Sequence, residues 1–311
     1  MAGYTAAQVK ELRERTGAGM LDAKNALVDC DGDMEKAMEQ LRQKGLATAA
    51  KKSGRQAAEG LVVAALSSNG QEGALVEVNC ETDFVAKGDA FGELANGLAQ
   101  QALNDKPADL DAFLNAPAAA NPAQSVSEYV TEKIGQIKEN LAARRFVTYT
   151  VQGTGLVHSY IHTGGKIGVL IELAAGNADN TAKDEFKQLA KDLSMQIASF
   201  GAEYVQMTDI SQDVIDEETR IEMGKEDLQN KPEEIRGKIV DGRVKKVLAE
   251  RVLLEQTYVK DSSLTVQAHL ENVSKALGDT ISVTRFTRFV LGEGIEKKEV
   301  NFAEEVMAQL K

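Results

Sequence analysis

The side chains in this sequence that could carry out covalent or metal chemistry are few and poorly grouped. His158 and His162 have the even spacing that places two side chains on one face of a strand, but a metal site needs a third ligand and none lies nearby in sequence. Gly164-Gly165-Lys166 lacks both the first glycine and the Ser/Thr of a phosphate-binding GxxxxGK[ST] loop. His269 stands alone on a predicted helix, where we expect it to be structural or solvated. The sequence therefore favours a binding protein over an enzyme, and it predicts no metal site and no cofactor.

Composition sets broader limits on function. The chain has 311 residues, with 36 Lys and Arg against 48 Asp and Glu, which gives a formal net charge of −12. A phosphate-binding face has to be basic, so this balance argues against direct binding of nucleic acid. The longest apolar run, Leu61 to Leu66, is far shorter than the roughly 20 residues of a membrane span. Residues 1–4 show no leader pattern, and we expect a cytoplasmic protein.

The two cysteines, Cys30 and Cys80, form neither a CxxC pair nor a disulfide framework. We expect both to be small buried hydrophobic residues rather than reactive thiols.

The segment Val78 to Lys87 (VNCETDFVAK) contains the strongest binding candidate. Thr82 can cap a short helix whose first residue, Asp83, is favoured by the helix dipole. Phe84 then lies in the first turn, where its ring either points outward at a loop tip or packs into the core of its own module. Composition alone favours the packed position.

The N-terminal region, up to residue 45, predicts three short helices. The apolar stripe of the second helix runs from Met20 to Leu27 at helical spacing, and Asp33 caps a third helix that stops at Gly45. Residues 47–59 (ATAAKKSGRQAAE) predict either a linker or a helix that ends against the next module.

An internal repeat is the most informative pattern in the chain. A shift of 95 residues aligns a predicted hairpin and helix with a second hairpin and helix further along. The matched positions are Gly60-Leu61-Val62 with Gly155-Leu156-Val157, Gly73 with Gly168, Leu75–Val78 with Leu170–Leu173, and Phe91, Leu94 and Leu98 with Phe186, Leu189 and Leu193. We interpret them as two copies of one unit, which together bury an apolar face that neither copy could bury alone. The first copy has Thr82-Asp83-Phe84 where the second has Asn177-Ala178-Asp179, with no aromatic residue, and we look for function at that difference.

Several further elements follow from periodicity. Residues 104–124, with three of the four prolines, predict mostly loop. Four more elements are an amphipathic helix marked by Val130, Ile134, Ile137 and Leu141, strands at 146–151 and 280–290, and a helix at 264–277. At the C-terminal end, Asn301 and Glu304 form a capping box for a last helix striped by Phe302, Val306 and Leu310.

Charge is segregated between residues 209 and 251. Asp209 to Glu234 is acidic, with Val214, Ile221 and Leu228 spaced by sevens, whereas Ile235 to Arg251 is basic. An acidic and a basic helix joined by a turn at residues 230–232 should fold back as an antiparallel hairpin. Its thin apolar seam suggests that the hairpin projects or meets a partner.

Three sequence motifs resemble those of the bacterial elongation factor Ts family. They are Leu12–Met20 (LRERTGAGM), Asn79–Ala86 (NCETDFVA), and Arg288–Lys297 (RFVLGEGIEK) followed by Phe302–Val306 (FAEEV). The likeness runs in order from residue 5 to the end of the sequence. It implies an α+β fold with a UBA-like helical module at 1–55, a core subdomain at 56–145, a second core subdomain at 146–209 and 256–296, an inserted coiled-coil hairpin at 210–255, and a C-terminal helical module at 297–311.

The same resemblance implies guanine-nucleotide exchange on elongation factor Tu, a GTPase of translation, with no covalent chemistry. In that family the segment matching Thr82, Asp83, Phe84 and Val85 dislodges the partner's Mg²⁺. Positions matching Arg13, Met20, Leu21, Phe302 and Val306 contact the partner. Leu21 stands where many relatives have Met, and Asn301 replaces the usual Asp of the C-terminal motif.

Two other classes of function remain open from the residues alone. A UBA-like protein-binding scaffold without exchange activity would bind its partner equally well with and without GDP. An enzyme with a cryptic site at the repeat interface would need several convergent titratable groups and a small-molecule ligand. The helical hairpin either projects or supports a dimer of two heterodimeric complexes.

Overall fold

The computed structural model describes residues 4–228 and 232–296. This part of the chain contains groups of helices and antiparallel strands, so the fold is α+β as predicted. The α-helices are α1 (Ala6–Thr16), α2 (Met20–Asp29), α3 (Met34–Lys52), α4 (Asp83–Ala86), α5 (Asp89–Asp105), α6 (Leu110–Asn115), α7 (Val126–Ile137), α8 (Ala178–Thr181), α9 (Asp184–Phe200), α10 (Gln212–Met223), α11 (Glu233–Arg251) and α12 (Val266–Leu277). The strands are β1 (Glu59–Leu66), β2 (Glu72–Cys80), β3 (Pro117–Ala118), β4 (Asn121–Ser125), β5 (Ala142–Thr150), β6 (Gly155–Ile161), β7 (Ile167–Ala175) and β8 (Ile281–Val290).

Helices α1 to α3 form a small module at the N-terminus. Gly17 ends α1 in the left-handed region, at φ 66°, which allows the chain to turn directly into α2. The core of the module contains Val9, Leu12, Ala23, Ala26, Leu27 and Ala37. Ala23 and Leu27 of the predicted apolar stripe are buried, but Met20 at its start is 53% exposed, because the buried face of α2 begins one turn later.

Helix α3 does not stop at Gly45. Of the two alternatives for residues 47–59, the helix that ends against the next module is correct for residues 47–52, and the linker is wrong there. The helix continues to Lys52. Gly45 lies against Gly135 of α7, where a Cβ added to Gly135 would come within 2.8 Å of the Gly45 Cα atom. Glycine at position 45 therefore permits a close helix crossing rather than ending the helix, and α3 ends beside the next module.

Two three-stranded antiparallel sheets form the centre of the fold. Their strand orders are β1-β2-β5 and β6-β7-β8. Helix α5 packs on one face of the first sheet and α9 on one face of the second, while the two remaining faces contact each other. Ala74, Val76 and Val78 of β2 accordingly pack with α5, whereas Leu75 faces the second sheet. This explains why β2 is buried on both sides.

The predicted repeat is confirmed. β2 and β7, α4 and α8, and α5 and α9 differ by 95 positions at both ends. The glycines that the repeat shares, Gly73 and Gly168, lie where the sheets meet, and a Cβ at either would collide with a valine of the opposite sheet. Helices α7 and α12 are also equivalent, but with a shift of 140 positions. The larger shift reflects the longer connection between α9 and α12, which contains α10 and α11.

Three predicted boundaries in the first copy are wrong. Residues 104–124 contain α6 and the small β3-β4 hairpin rather than mostly loop. Strand β5 begins at Ala142, because its backbone pairs with β2 well before residue 146. Helix α7 ends at Ile137, since Lys138 adopts a left-handed φ of 68°, and Leu141 is buried in the same core from beyond the helix.

Helices α10 and α11 pack together as the predicted antiparallel pair. Arg251 forms an ion pair with Glu218, and Arg243 forms one with Asp227. The acidic residue that comes first in the chain thus pairs with the arginine that comes last, as two antiparallel segments require. Leu228 is buried in the shared core, but Ile221 is 49% exposed, so the predicted seam is wrong at its middle position. At that turn of α10 the buried position belongs to Glu222, which is paired with Lys225 and Arg243, and the chain re-enters the core at Leu228. The predicted turn residues 230 and 231, and the predicted C-terminal helix with Asn301, Phe302 and Val306, lie outside the described residues.

Candidate functional site

Phe84 is presented to solvent by a short helix between β2 and α5. The prediction from composition that its ring packs into the core is wrong, because 87% of the side chain is exposed. Thr82 caps α4 by accepting a hydrogen bond from the Val85 N–H at 3.3 Å. Val85 and Ala86 turn inward and pack on the core of the first sheet. In this four-residue helix, Phe84 therefore points to solvent, whereas Val85 and Ala86 attach the helix to the core.

A carboxylate from the turn after α7 fixes the backbone before α4. The Glu139 side chain accepts hydrogen bonds from the N–H groups of Glu81 and Thr82, both at 3.0 Å. Its other oxygen accepts from the Thr82 hydroxyl at 2.6 Å. In return, the Glu81 carboxylate accepts from the Asn140 N–H at 2.6 Å. The loop and the turn after α7 thus hold each other by charge-assisted hydrogen bonds, which are stronger than neutral ones.

The loop is also tied to the end of the N-terminal module. Arg55 lies 3.3 Å from the Glu81 carboxylate, and Lys52 lies 4.0 Å from it. The Asn140 side-chain amide donates to the Arg55 carbonyl at 2.7 Å. These contacts set where α3 ends relative to Phe84.

The charges beside Phe84 are paired with each other. Lys87 donates to the Asp83 carboxylate at 2.6 Å, one helical turn away. This hydrogen bond and the charge of Lys87 lower the pKa of Asp83, and the same pair raises the pKa of Lys87. Both groups are solvent-exposed, so the ion pair is weak and can be exchanged for a group of a binding partner.

The duplicated loop in the second copy has the same construction without the aromatic residue. Asn177 caps α8, and Asp279 accepts hydrogen bonds from the N–H groups of Gly176 and Asn177 at 2.9 and 3.3 Å. Asp279 thus takes the place of Glu139, while exposed Asp179 takes the place of Phe84. The scaffold is shared, and the exposed ring is the difference.

A second exposed apolar patch lies on the N-terminal module. Met20 and Leu21 begin α2 and are 53% and 68% exposed. Arg13 lies on α1 just before the Gly17 turn; it is exposed and forms no ion pair with any residue of the described chain. The structure thus leaves all three of these predicted contact residues accessible.

Helix α7 connects the two exposed regions. Its residue Gly135 contacts Gly45 of α3, and the Gln136 side chain donates to the carbonyl of Thr16, at the end of α1, at 2.7 Å. Glu139, just beyond the same helix, holds the Phe84 loop. The N-terminal patch and Phe84 are therefore both positioned by the C-terminal end of one helix.

The other residues considered from sequence do not assemble into a reactive site. His158 is half-buried beside Ser194, and burial lowers its pKa. His269 stacks on Tyr258 with 4.0 Å between ring centroids, and its pKa is likewise lowered by burial. Cys80 is buried as expected, which raises its thiol pKa to about 12, but Cys30 is only partly buried. Within residues 4–228 and 232–296, no group of three His, Cys, Asp or Glu side chains could hold a metal ion.

Sequence reasoning missed Glu139, the residue that fixes the Phe84 loop. It lies 57 positions from Thr82, so local spacing cannot connect the two. A sequence comparison with a shift of 140 residues could have found it. That shift aligns α7 with α12, and it places Glu139 on Asp279, a carboxylate at the same position in both copies.

Comparison with known proteins gives one consistent result. A protein-family model described as Elongation factor TS matches residues 81–293. An elongation factor Ts from a Nostoc species is 46% identical over 312 residues, which covers 100% of this chain and 99% of that protein. Proteins of the same name from Trichlorobacter lovleyi and Clostridium botulinum are 46% and 47% identical, over 98% of this chain and 97% and 99% of their own lengths. The described residues include no helix that is both long and apolar enough to cross a membrane.

Proposed function

The chain belongs to the elongation factor Ts family, and on this premise we propose that it binds elongation factor Tu and accelerates the release of GDP from it. Exchange makes and breaks no covalent bond, so the protein acts as an exchange factor and not as an enzyme of covalent chemistry. The observation that carries the proposal is the exposed ring of Phe84 on a fixed loop, at the position where the duplicated loop has Asp179.

The proposed mechanism is a steric wedge. A GTPase holds its nucleotide partly through Mg²⁺, which neutralises charge between the protein and the phosphates. The segment Thr82-Asp83-Phe84-Val85 enters beside this site, and the ring of Phe84 shifts the metal and its ligands without contacting the nucleotide. Asp83 can leave Lys87 and bind a donor of the partner, because their surface ion pair contributes little energy.

The rest of the interface supplies affinity. Arg13, Met20 and Leu21 contact the nucleotide-binding domain of the partner, and Phe302 and Val306 contact it from the C-terminal end. Met and Arg side chains are enriched at protein interfaces relative to the rest of the surface. We place this activity in the cytoplasm, with no direct contact to nucleic acid.

Thermodynamic linkage gives a condition that the proposal must satisfy. If this protein weakens the binding of GDP to elongation factor Tu, GDP must weaken the binding of this protein by the same factor. A protein-binding scaffold without exchange activity would show no such coupling.

The test is the release of a fluorescent GDP analogue from elongation factor Tu with excess unlabelled GDP present. We expect a trace of this protein to accelerate release, because each molecule acts repeatedly. A complex that forms on gel filtration but leaves the release rate unchanged would contradict exchange and favour the scaffold. Pairing of two complexes through α10 and α11 stays a prediction, which light scattering of the complex can test.

A further inference from the structure

The loop that carries Phe84 has little intrinsic reason to keep its shape. Helix α4 has only four residues, and isolated helices of this length are unstable in water. Phe84 itself contributes almost nothing to the packing, because most of its surface is exposed. The direction of its ring is therefore set by whatever fixes the backbone at Glu81 and Thr82.

Glu139 is the group that fixes this backbone. Its carboxylate accepts three hydrogen bonds from two consecutive residues, two from N–H groups and one from the Thr82 hydroxyl. It is half-buried in the turn between α7 and β5, and the reciprocal bond from the Asn140 N–H to Glu81 prevents that turn from moving independently.

We propose that Glu139 is the positioning residue for the Phe84 wedge, acting on nucleotide exchange through the loop without touching the partner's nucleotide site. This inference rests on the proposed exchange function. A wedge acts only if it arrives at the right place, and small displacements of positioned groups can reduce a rate strongly. Loss of the carboxylate frees two N–H groups that need a partner, and the loop relaxes toward solvent to hydrate them.

The duplication supplies a matched control. Asp279 makes the equivalent bonds to Gly176 and Asn177, also from a half-buried position in the turn after the equivalent helix, but its loop carries Asp179 in place of the ring. Removing either carboxylate should disturb a loop to a similar extent. Only the first of these loops carries the wedge.

The experiment compares Glu139→Ala, Glu139→Gln and Asp279→Ala in the full chain, each measured for release of a fluorescent GDP analogue from elongation factor Tu and for affinity to the nucleotide-free partner. We expect Glu139→Ala to slow release at saturating exchange factor by about tenfold, the equivalent of one lost charge-assisted hydrogen bond, with affinity nearly unchanged. Glu139→Gln should restore most of the rate, because the amide oxygen can accept from both N–H groups. Asp279→Ala should exchange like the wild type.

A double variant tests whether Glu139 acts through Phe84. In a Phe84→Ala background, Glu139→Ala should slow release no further, because residues that act as one unit are non-additive. Equal slowing by Asp279→Ala and Glu139→Ala would overturn the inference, since the effect would then follow from general destabilisation. A full additional loss in the Phe84→Ala background would also overturn it.

The outcomes separate this inference from the proposed function. If the wild-type chain does not accelerate GDP release, the exchange function itself fails. If the wild type accelerates release and Phe84→Ala is slow, but Glu139→Ala matches the wild-type rate, only the positioning role fails. Glu139→Gln keeps the test usable if the alanine variant folds poorly.

Discussion

Gly45 of α3 and Gly135 of α7 touch through their backbones, with no side chain between the two helices. A Cβ on Gly135 would lie 2.8 Å from the Gly45 Cα atom, closer than unbonded carbon atoms pack. Through this crossing the N-terminal helices are attached to the same helix that precedes Glu139. The relative placement of the Met20-Leu21 patch and Phe84 therefore depends on two glycines that carry no chemistry.

Substitution of Gly135 should loosen this crossing. We expect Gly135→Ala to lower the free energy of unfolding by about 1–3 kcal/mol, because overpacking a tight contact costs more than the helix propensity of alanine returns. Gly97→Ala on α5 is the control, since a Cβ there meets nothing within 4 Å and should stabilise its helix. Differential scanning calorimetry measures the unfolding temperature of each variant. Equal unfolding temperatures for Gly135→Ala and Gly97→Ala would refute the tight crossing.

The apolar patch on α2 should contribute affinity rather than stability. Leu21→Ala is expected to weaken binding to elongation factor Tu by about tenfold, while leaving the unfolding temperature within a degree or two, as is usual for exposed side chains. Val28→Ala, on the same helix and 50% exposed, is the matched variant that should change neither quantity. Isothermal titration with the nucleotide-free partner measures the difference. A Val28 variant that weakened binding as much as the Leu21 variant would remove the special role of the patch.

Glu77 should make stability depend on pH. Burial pushes its pKa upward, but hydrogen bonds from the Gly292 N–H, Arg145 and Arg144 outweigh that effect and hold the pKa below its ordinary value of 4.5. A carboxyl with a lowered folded pKa stabilises the protein above the ordinary pKa, and this stabilisation is lost as the pH falls through the folded value.

We therefore expect Glu77→Gln to cost about 3 kcal/mol at pH 7, and progressively less below pH 4.5, because there the carboxyl of the unfolded wild-type chain binds a proton before that of the folded protein does. Glu172→Gln, its equivalent in the second copy, should cost less, since within residues 4–228 and 232–296 only Arg285 is paired with that carboxylate. Urea unfolding at pH 7 and pH 3.5 measures both. A loss for Glu77→Gln that is the same at the two pH values would contradict this account.

The wedge should matter only while Mg²⁺ is bound to the partner. At millimolar free Mg²⁺ we expect wild type and Phe84→Ala to differ strongly in GDP release. In excess chelator the two rates should converge, because there is no metal left to displace. Stopped-flow measurements give the ratio of the wild-type release rate to the Phe84→Ala release rate under each condition. A ratio that chelation leaves unchanged would place the action of Phe84 elsewhere than at the metal.

Much of the architecture could be predicted from the sequence because the chain repeats itself. The shift of 95 residues located β2 and β7, α5 and α9, and the loop position where Phe84 of the first copy corresponds to Asp179 of the second. Periodicity also located α12 and β8, since amphipathic helices and β-branched strands carry local signals.

The errors arise where tertiary contacts override local signals. Gly45 looks like a helix stop, yet it lies inside α3 because a close crossing with α7 requires a missing side chain. Phe84 looks like a core residue by type, yet the inward positions of its short helix belong to Val85 and Ala86. Glu139 carries no local signal, because its partners are far away in sequence.

The release rate at saturating Phe84→Ala shows whether the exposed ring of Phe84 drives nucleotide release. We expect this variant to form the complex with nearly wild-type affinity and to release GDP at least about tenfold more slowly, since an interaction made only on the way to release has been removed. Asp179→Ala, the equivalent change in the duplicated loop, should behave like the wild type. Release by Phe84→Ala at the wild-type rate would show that the ring is not the wedge.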